Sequence, residues 1–363
     1  FGFLAGTQES SAPHTLHGPS VRIGKRIVQI RDVMVAINWF PGHMHKARLE
    51  IAKAMKKVHV VVEMLDARTP FSSENPLVPA LRGPGTPCLK VLNKADLADP
   101  DLTQRWIEYF RAQEGVSAIS LRATENNEAH KVVAASEKIL QISGEKRATM
   151  MVLGIPNVGK STLINSLAGR VVCRTGDIPA ITRQQQLIPL SDRMNLLDTP
   201  GFLWPKLEPE RCAHRLAITG AVKDVAFEYP DIASTAVELL RELRPSVLAD
   251  VYGCSPEDLD VEAPTSTVLH QIAIRRGALR KGGIPDLAKA SEILVMDIRK
   301  GKLGRVTFET PEMIETEGGV EGKAEGILGA AGREERLKEK RRLRRIRRNR
   351  GSKIVFDEEG QAS

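Results

Sequence analysis

Residues 148–161 read ATMMVLGIPNVGKS. The first eight, Ala148–Ile155, form a short apolar run of strand length that breaks at Gly154. Gly154-Ile155-Pro156-Asn157-Val158-Gly159-Lys160-Ser161 then fits GxxxxGK[ST], and helical spacing over about 160–168 follows it. Strand, glycine-rich turn and helix together are the context that a phosphate-binding loop requires. In such a loop the backbone N–H groups of Asn157, Val158, Gly159, Lys160, Ser161 and Thr162 wrap phosphate oxygens at the positive end of a helix. Lys160 reaches the β- and γ-phosphates, and the Ser161 hydroxyl binds Mg²⁺.

Working outward, apolar runs alternate with helical spacing over about residues 36–206. Val58–Ala67 is a Val-rich buried strand and Pro87–Leu97 a second strand that ends in a polar turn. Residues 101–113 and 126–142 are helical, Val116–Ser120 is a short strand, and Gln186–Leu190 with Met194–Asp198 form a strand pair. The pattern predicts an α/β fold with a mostly parallel sheet. From about 207 to 300 the strand signal stops, and four segments with 3.6-residue apolar spacing predict a small all-helical domain at 207–310. Val306–Phe308 reads as a short terminal strand. Six glycines between 317 and 332 mark a linker, so 311–363 is read as linker and tail.

Charge sharpens this division. The 363 residues carry 53 Lys+Arg and 45 Asp+Glu, a net +8. Residues 333–350 alone hold 11 of the basic and 3 of the acidic residues, so the globular body is balanced and the excess is a disordered basic tail. Such an arm pairs with phosphates in a salt-sensitive way. It has no interleaved aromatic residue, which argues against base stacking. Cys88, Cys173, Cys212 and Cys254 lack metal-ligand or disulfide spacing. No run of 18 apolar residues exists, so no membrane partner is expected. Residues 1–35 are read as an unstructured N-terminal extension. Patterned sequence begins at Met34, which favours a cytoplasmic protein. Alternatively Arg22, Lys25, Arg26 and Arg31 against Glu9 and Asp32 make 1–33 a transit peptide to the mitochondrial matrix.

Two further motifs select the nucleotide. Asn93-Lys94-Ala95-Asp96 is an NKxD at a strand end, where the Asp96 carboxylate accepts from the N1–H and N2–H₂ of guanine, a donor pair adenine lacks. Asn93 ties the loop to the base and the Lys94 stem lies along the ring. Asp198-Thr199-Pro200-Gly201 is a DxxG at another strand end, a Mg²⁺-side carboxylate with Gly201 sensing the γ-phosphate. A DxxG alone arises about once in a random chain of this length; its position 38 residues past Lys160 gives it weight. Thr182 is the natural second switch residue and Mg²⁺ ligand. Phe202 stands where a water-orienting Gln would follow Gly201, so intrinsic turnover is expected to be slow.

The order NKAD, GIPNVGKS, DTPG, preceded by Asn38-Trp39-Phe40-Pro41-Gly42-His43-Met44, resembles the ribosome biogenesis GTPase A family of circularly permuted GTPases over about residues 36–305. The resemblance implies GTP hydrolysis to GDP by a permuted domain, stimulated by the ribosome, and a helical domain that contacts ribosomal RNA. It implies a large-subunit precursor as partner, a monomer, and His43 in place of the missing Gln. It also implies that Asn157 holds a K⁺ ion beside the phosphates. Two features depart from the pattern. Ala180 stands where a Gly usually precedes the switch Thr, and Ser120-Leu121-Arg122-Ala123-Thr124 matches the second base loop loosely, leaving Ser120 as its base contact. The rival readings are an RNA-binding scaffold that holds guanine nucleotide without productive turnover, and a P-loop kinase or ATPase, against which NKAD argues.

Overall fold

The computed structural model describes residues 53–76, 78–82, 85–141, 147–172, 187–197 and 210–316, together with a strand pair at 21–23 and 26–28. That pair, β1 (Val21–Ile23) and β2 (Arg26–Val28), is antiparallel, in place of the unstructured chain expected at those six residues. It lies in a separate compact unit, residues 1–36; residues 37–363 form the second. His43, Thr182, Asp198, Gly201 and the basic tail fall outside the described residues.

The second unit is built on a six-stranded sheet of β3 (Val60–Asp66), β4 (Cys88–Asn93), β5 (Val116–Leu121), β6 (Ala148–Gly154), β7 (Leu187–Pro189) and β8 (Met194–Leu197). The spatial order is β5-β4-β3-β6-β8-β7. All neighbours are parallel except the edge strand β7, which runs against β8. β3 and β4 are buried along their whole length, as strands covered on both faces must be.

Alternation sorts the side chains of β3. Val60, Val62 and Met64 join the main core with Leu89, Val91, Met150 and Val152. Leu65 turns to the other face, where Leu92, Trp106 and Phe110 meet it. Short α1 (Pro70–Ser73) and α2 (Val78–Leu81) follow β3. Next come α3 (Pro100–Arg111), α4 (Asn126–Leu140) and α5 (Lys160–Ala168). Asp99 caps α3 by accepting from the N–H groups of Asp101 and Leu102, and Pro100 takes the first helical position, which needs no donor.

Five helices follow: α6 (Glu210–Ile218), α7 (Tyr229–Leu243), α8 (Pro245–Tyr252), α9 (Thr265–Arg276) and α10 (Leu287–Arg299). Four helical segments were legible there; α8 is the addition. It starts at Pro245, with only Arg244 between it and the α7 terminus, where proline reads as a stop but here opens a new first turn. The main core continues without a break from the sheet into Leu216, Val237, Ile272 and Leu294 of these helices.

The segment after α10 returns to the sheet. Val306 N–H donates to the Leu97 carbonyl at 2.9 Å and Phe308 N–H to the Arg68 carbonyl at 2.8 Å. Val306–Phe308 is thus extended but pairs with loops rather than forming the expected strand. The Glu309 carboxylate, 1 % exposed, accepts from the Phe71 and Ser72 N–H groups at 2.7 and 3.0 Å and bonds the Ser72 hydroxyl. Arg215 Nη1 of α6 lies 3.6 Å from it. A last helix, α11 (Met313–Thr316), occupies part of the stretch read as linker; Ile314 packs with Trp106 and Phe110.

Candidate nucleotide-binding site

Parallel pairing puts the C-terminal ends of β4, β3, β6 and β8 on one sheet edge, where open α/β sheets bind ligands. Asn93 at the end of β4 is in register with Asp66 of β3, and Gly154 of β6 with Met64 of the same strand. The NKAD turn and the phosphate loop therefore flank one central strand, although NKAD comes first in the chain.

The phosphate loop needs its glycines for two different neighbours. Gly154 has φ +150°, and a Cβ there would sit 2.6 Å from the Met64 carbonyl oxygen. Gly159 has φ +100°, and its Cβ would collide with the Asn93 amide. Glycine at 159 lets the base loop lean on the phosphate loop. Asn93 Nδ2 donates to the Val158 carbonyl at 2.6 Å, and Asn93 Oδ1 accepts from the Ala123 N–H at 2.8 Å. The Ser166 hydroxyl of α5 donates to the Ala123 carbonyl at 3.0 Å. One buried amide thus fastens together the loops after β4, β5 and β6.

Lys160 opens α5, with 9 % of the residue exposed, and its Nζ donates to the Ile155 carbonyl at 2.5 Å within the same loop. Ser161 and Thr162 occupy the first turn and are partly exposed, while the Val158 side chain is buried in the core. Asn157 is exposed and holds a left-handed conformation, φ +61°, with Nδ2 donating to the Gly220 carbonyl at 3.0 Å.

Around NKAD, Lys94 has φ +60° and its Nζ lies 2.9 Å from Asp66 Oδ2. Asp66 also accepts from Arg68 Nε and Nη2 at 2.9 and 2.8 Å. Burial alone would raise the Asp66 pKa; the charges of Arg68 and Lys94 outweigh it and hold the carboxyl well below the usual carboxylate range. Asp96 keeps about a third of its side chain exposed, with Arg122 Nε 3.7 Å from it. Ser120 is a strand residue in register with Leu92; the residue of its loop that meets Asn93 is Ala123.

The end of α6 lies against this edge, and its last carbonyls need donors. Arg299 Nη2 donates to the Ala217 carbonyl at 2.8 Å, Arg68 Nη2 to that of Thr219 at 3.1 Å, and Asn157 to that of Gly220. Cations at the negative end of a helix are favourable placements. The pairing of Asp66 with Arg68 carried a faint signal, a carboxylate and a guanidinium two residues apart at the end of a buried strand. The partners of Gly220 and Ala123 carried none, since they are backbone atoms far away in sequence.

Residues 149–248 match the family described as 50S ribosome-binding GTPase. Ribosome biogenesis GTPase A of Bacillus cereus is 42 % identical over 289 residues, which cover 77 % of this chain and 95 % of that protein. That of Thermotoga maritima is 32 % identical over 278 residues, covering 77 % and 96 %. Mitochondrial ribosome-associated GTPase 1 of Mus musculus is 31 % identical, covering 75 % of this chain and 89 % of that protein. The GDP-bound structure of T. maritima YlqF superposes with a TM-score of 0.53 at 30 % identity, over 72 % of this chain and 99 % of that one. Among the described residues no helix is long and apolar enough to cross a membrane. With identity above 30 % along nearly the full length of such relatives, the permuted order of base loop and phosphate loop finds its family: the chain belongs to the ribosome biogenesis GTPase A family and is a circularly permuted GTPase.

Proposed function

We propose that this GTPase serves assembly of the large ribosomal subunit, binding the precursor and its ribosomal RNA with GTP and leaving when GTP is hydrolysed. The observation that carries this reading is the Asn157–Gly220 hydrogen bond, by which the phosphate loop holds the end of a helix belonging to the helical part of the molecule. A change in phosphate occupancy is thereby felt outside the nucleotide site. The description of the matched family as ribosome-binding supports the choice of partner.

In this account Asp96 reads guanine, Asn93 and Lys94 shape its pocket, and Ser120 contributes from the second base loop. The N–H groups of Asn157, Val158, Gly159, Lys160, Ser161 and Thr162 wrap the phosphates, while Lys160 neutralises the β- and γ-oxygens. A hydroxyl on the first turn of α5 suits the oxygen preference of Mg²⁺, so Ser161 would hold that ion with Thr182 and Asp198. Bound Mg²⁺ supplies charge to the phosphate oxygens. Gly201 senses the γ-phosphate, and His43 orients water where Phe202 cannot. With Nδ2 of Asn157 committed to Gly220, a K⁺ ion would take the amide oxygen. The working compartment is the cytoplasm, or the mitochondrial matrix if residues 1–33 direct import, and the working form is a monomer.

Co-sedimentation of the full chain with purified large subunits tests this reading. Retention with a non-hydrolysable GTP analogue and release with GDP are expected. Equal retention in both states, or none in either, contradicts it.

A further inference from the structure

The sequence pattern TVLHQIAIRRGALR predicts helix through Arg280, but α9 ends at Arg276 and Gly277 turns the chain at φ +67°. A hairpin takes its place. Asp286 N–H donates to the Ala278 carbonyl at 2.8 Å and Arg280 N–H to the Ile284 carbonyl at 2.7 Å, with Leu279 and Pro285 bridged between them. Gly283 N–H closes the turn on the Arg280 carbonyl, and Gly282 at φ +87° fills the third position that such a turn reserves for glycine.

This hairpin is held firmly yet buries little of itself. Asp286 bridges Arg280 at 2.9 Å and caps α10 through the Lys289 N–H, so its base cannot slide. Its large apolar residues stay outside: Ile284 is 62 % exposed and Leu279 49 %, with Ile274 on the adjoining helix at 52 %. Four large apolar side chains, counting Leu287, crowd one exposed stretch of sixteen residues, which marks an interaction surface rather than scatter.

Charge decides what it fits. Residues 274–289 contain five Lys/Arg and one Asp/Glu, a local excess of positive charge on a body that is balanced as a whole. That single carboxylate is spent on Arg280 and the helix cap. Arg275 and Lys281 are exposed, and among the described residues neither has a carboxylate within ion-pair distance. At the tip, a Cβ on Gly282 or Gly283 would meet nothing within 4 Å, so the backbone there is open to close approach. Exposed cations beside bare apolar side chains complement a chain of phosphates with sugars and base edges between them.

We infer that the hairpin at 278–286, with Arg275 and Ile274 of α9, is an RNA-binding surface, with Arg275 and Lys281 on phosphates and Ile284, Leu279 and Ile274 against sugars and bases. It rests on the ribosomal reading above and names the surface for it. It is distinct in sequence from the basic segment at 333–350.

The test measures binding of the full chain to purified large-subunit ribosomal RNA across a KCl series, and to intact large subunits. Wild type is compared with Arg275→Glu/Lys281→Glu and with Ile284→Ser, none of which touches the nucleotide site. GTP affinity and the melting curve serve as controls for folding. The double variant is expected to bind RNA at least about tenfold more weakly, with the slope of log K against log salt reduced by roughly 1.4–1.8, since each of the two phosphate contacts contributes roughly 0.7–0.9. Ile284→Ser is expected to weaken binding with the slope unchanged. RNA binding identical to wild type in both variants overturns the inference, and loss of subunit binding without loss of RNA binding replaces it with a ribosomal protein partner. If wild type binds neither probe, the ribosomal reading itself fails and takes this surface with it.

Discussion

Asn157 of the phosphate loop and Gly220 at the end of α6, 63 positions apart, are joined by one hydrogen bond of 3.0 Å from side-chain amide to backbone carbonyl. Gly220 is in turn crowded by Arg299, whose Nε would lie 3.3 Å from a Cβ placed there, and it adopts φ +84°. Asn157→Gly keeps the left-handed backbone of the loop and removes only the amide. GTP affinity is expected to stay within about fivefold, because a net hydrogen bond contributes roughly 1 kcal/mol. Any preference for KCl over NaCl in turnover is expected to vanish. Retained K⁺ preference in this variant would remove Asn157 from the cation site.

Asn93 supports three loops with one side chain, so its removal is expected to act on nucleotide affinity and stability together. Asn93→Ala strips the Val158 carbonyl and the Ala123 N–H of their buried partners. Each loss costs about 1–3 kcal/mol. A lower denaturation midpoint with weaker binding of both GTP and GDP is expected. Asp96→Asn, by contrast, is expected to leave the midpoint unchanged and lower GTP affinity roughly 100-fold, since it would remove the charge-assisted pair of hydrogen bonds proposed to read the base. Isothermal titration with GTP, GDP and ATP separates the two variants.

Glu309 closes the returning C-terminal segment onto α1. Glu309→Ala takes the carboxylate away from buried Arg215 and from two helix-end N–H groups. Breaking one side of such a buried pair costs about 3–5 kcal/mol. Denaturant unfolding of the variant is expected to show a loss of that size, whereas Arg105→Ala, which breaks an exposed pair with Glu312, is expected to lose less than about 1 kcal/mol.

Asp66 sets an acid limb to stability. Its folded pKa lies below the unfolded value of about 3.9, so its contribution is complete above that value and disappears as pH falls through the lowered folded pKa. Asp66→Asn is expected to be less stable than wild type at pH 7 and to approach it as pH drops below about 4. Denaturation midpoints of both proteins from pH 7 to pH 3 check this; a gap that stays constant across the range would show that the Asp66 charge contributes nothing.

The centre of the sheet was legible because β3, β4 and β6 are buried on both faces and so read as nearly unbroken apolar runs. α5 was legible to the residue, since its start is fixed by the phosphate-loop spacing. The failures have physical causes. Pro245 reads as a terminator yet opens α8, and the apolar spacing of α9 runs on past Gly277, whose positive φ ends the helix. Lys90 of β4 sits inside an apolar run, and nothing local reveals that Glu63 and Glu74 would hold it there at 2.9 and 2.5 Å. At the candidate site, Asn93, Lys94, Asp96 and Lys160 stood out in the sequence because the chemistry proposed for them fixes their spacing. The Asp66–Arg68 pair left only a faint trace, and Ala123 and Gly220 left none, because they act through backbone atoms contributed by distant segments.

In the proposed function the ribosome times the GTP site at this sheet edge. Steady-state hydrolysis of GTP and of ATP by the full chain, in KCl with and without purified large ribosomal subunits, tests it most directly. Slow turnover of GTP alone, raised at least about tenfold by subunits, with ATP left unhydrolysed in both conditions, is the predicted result. GTP turnover that subunits do not change, or ATP hydrolysed as fast as GTP, would contradict it.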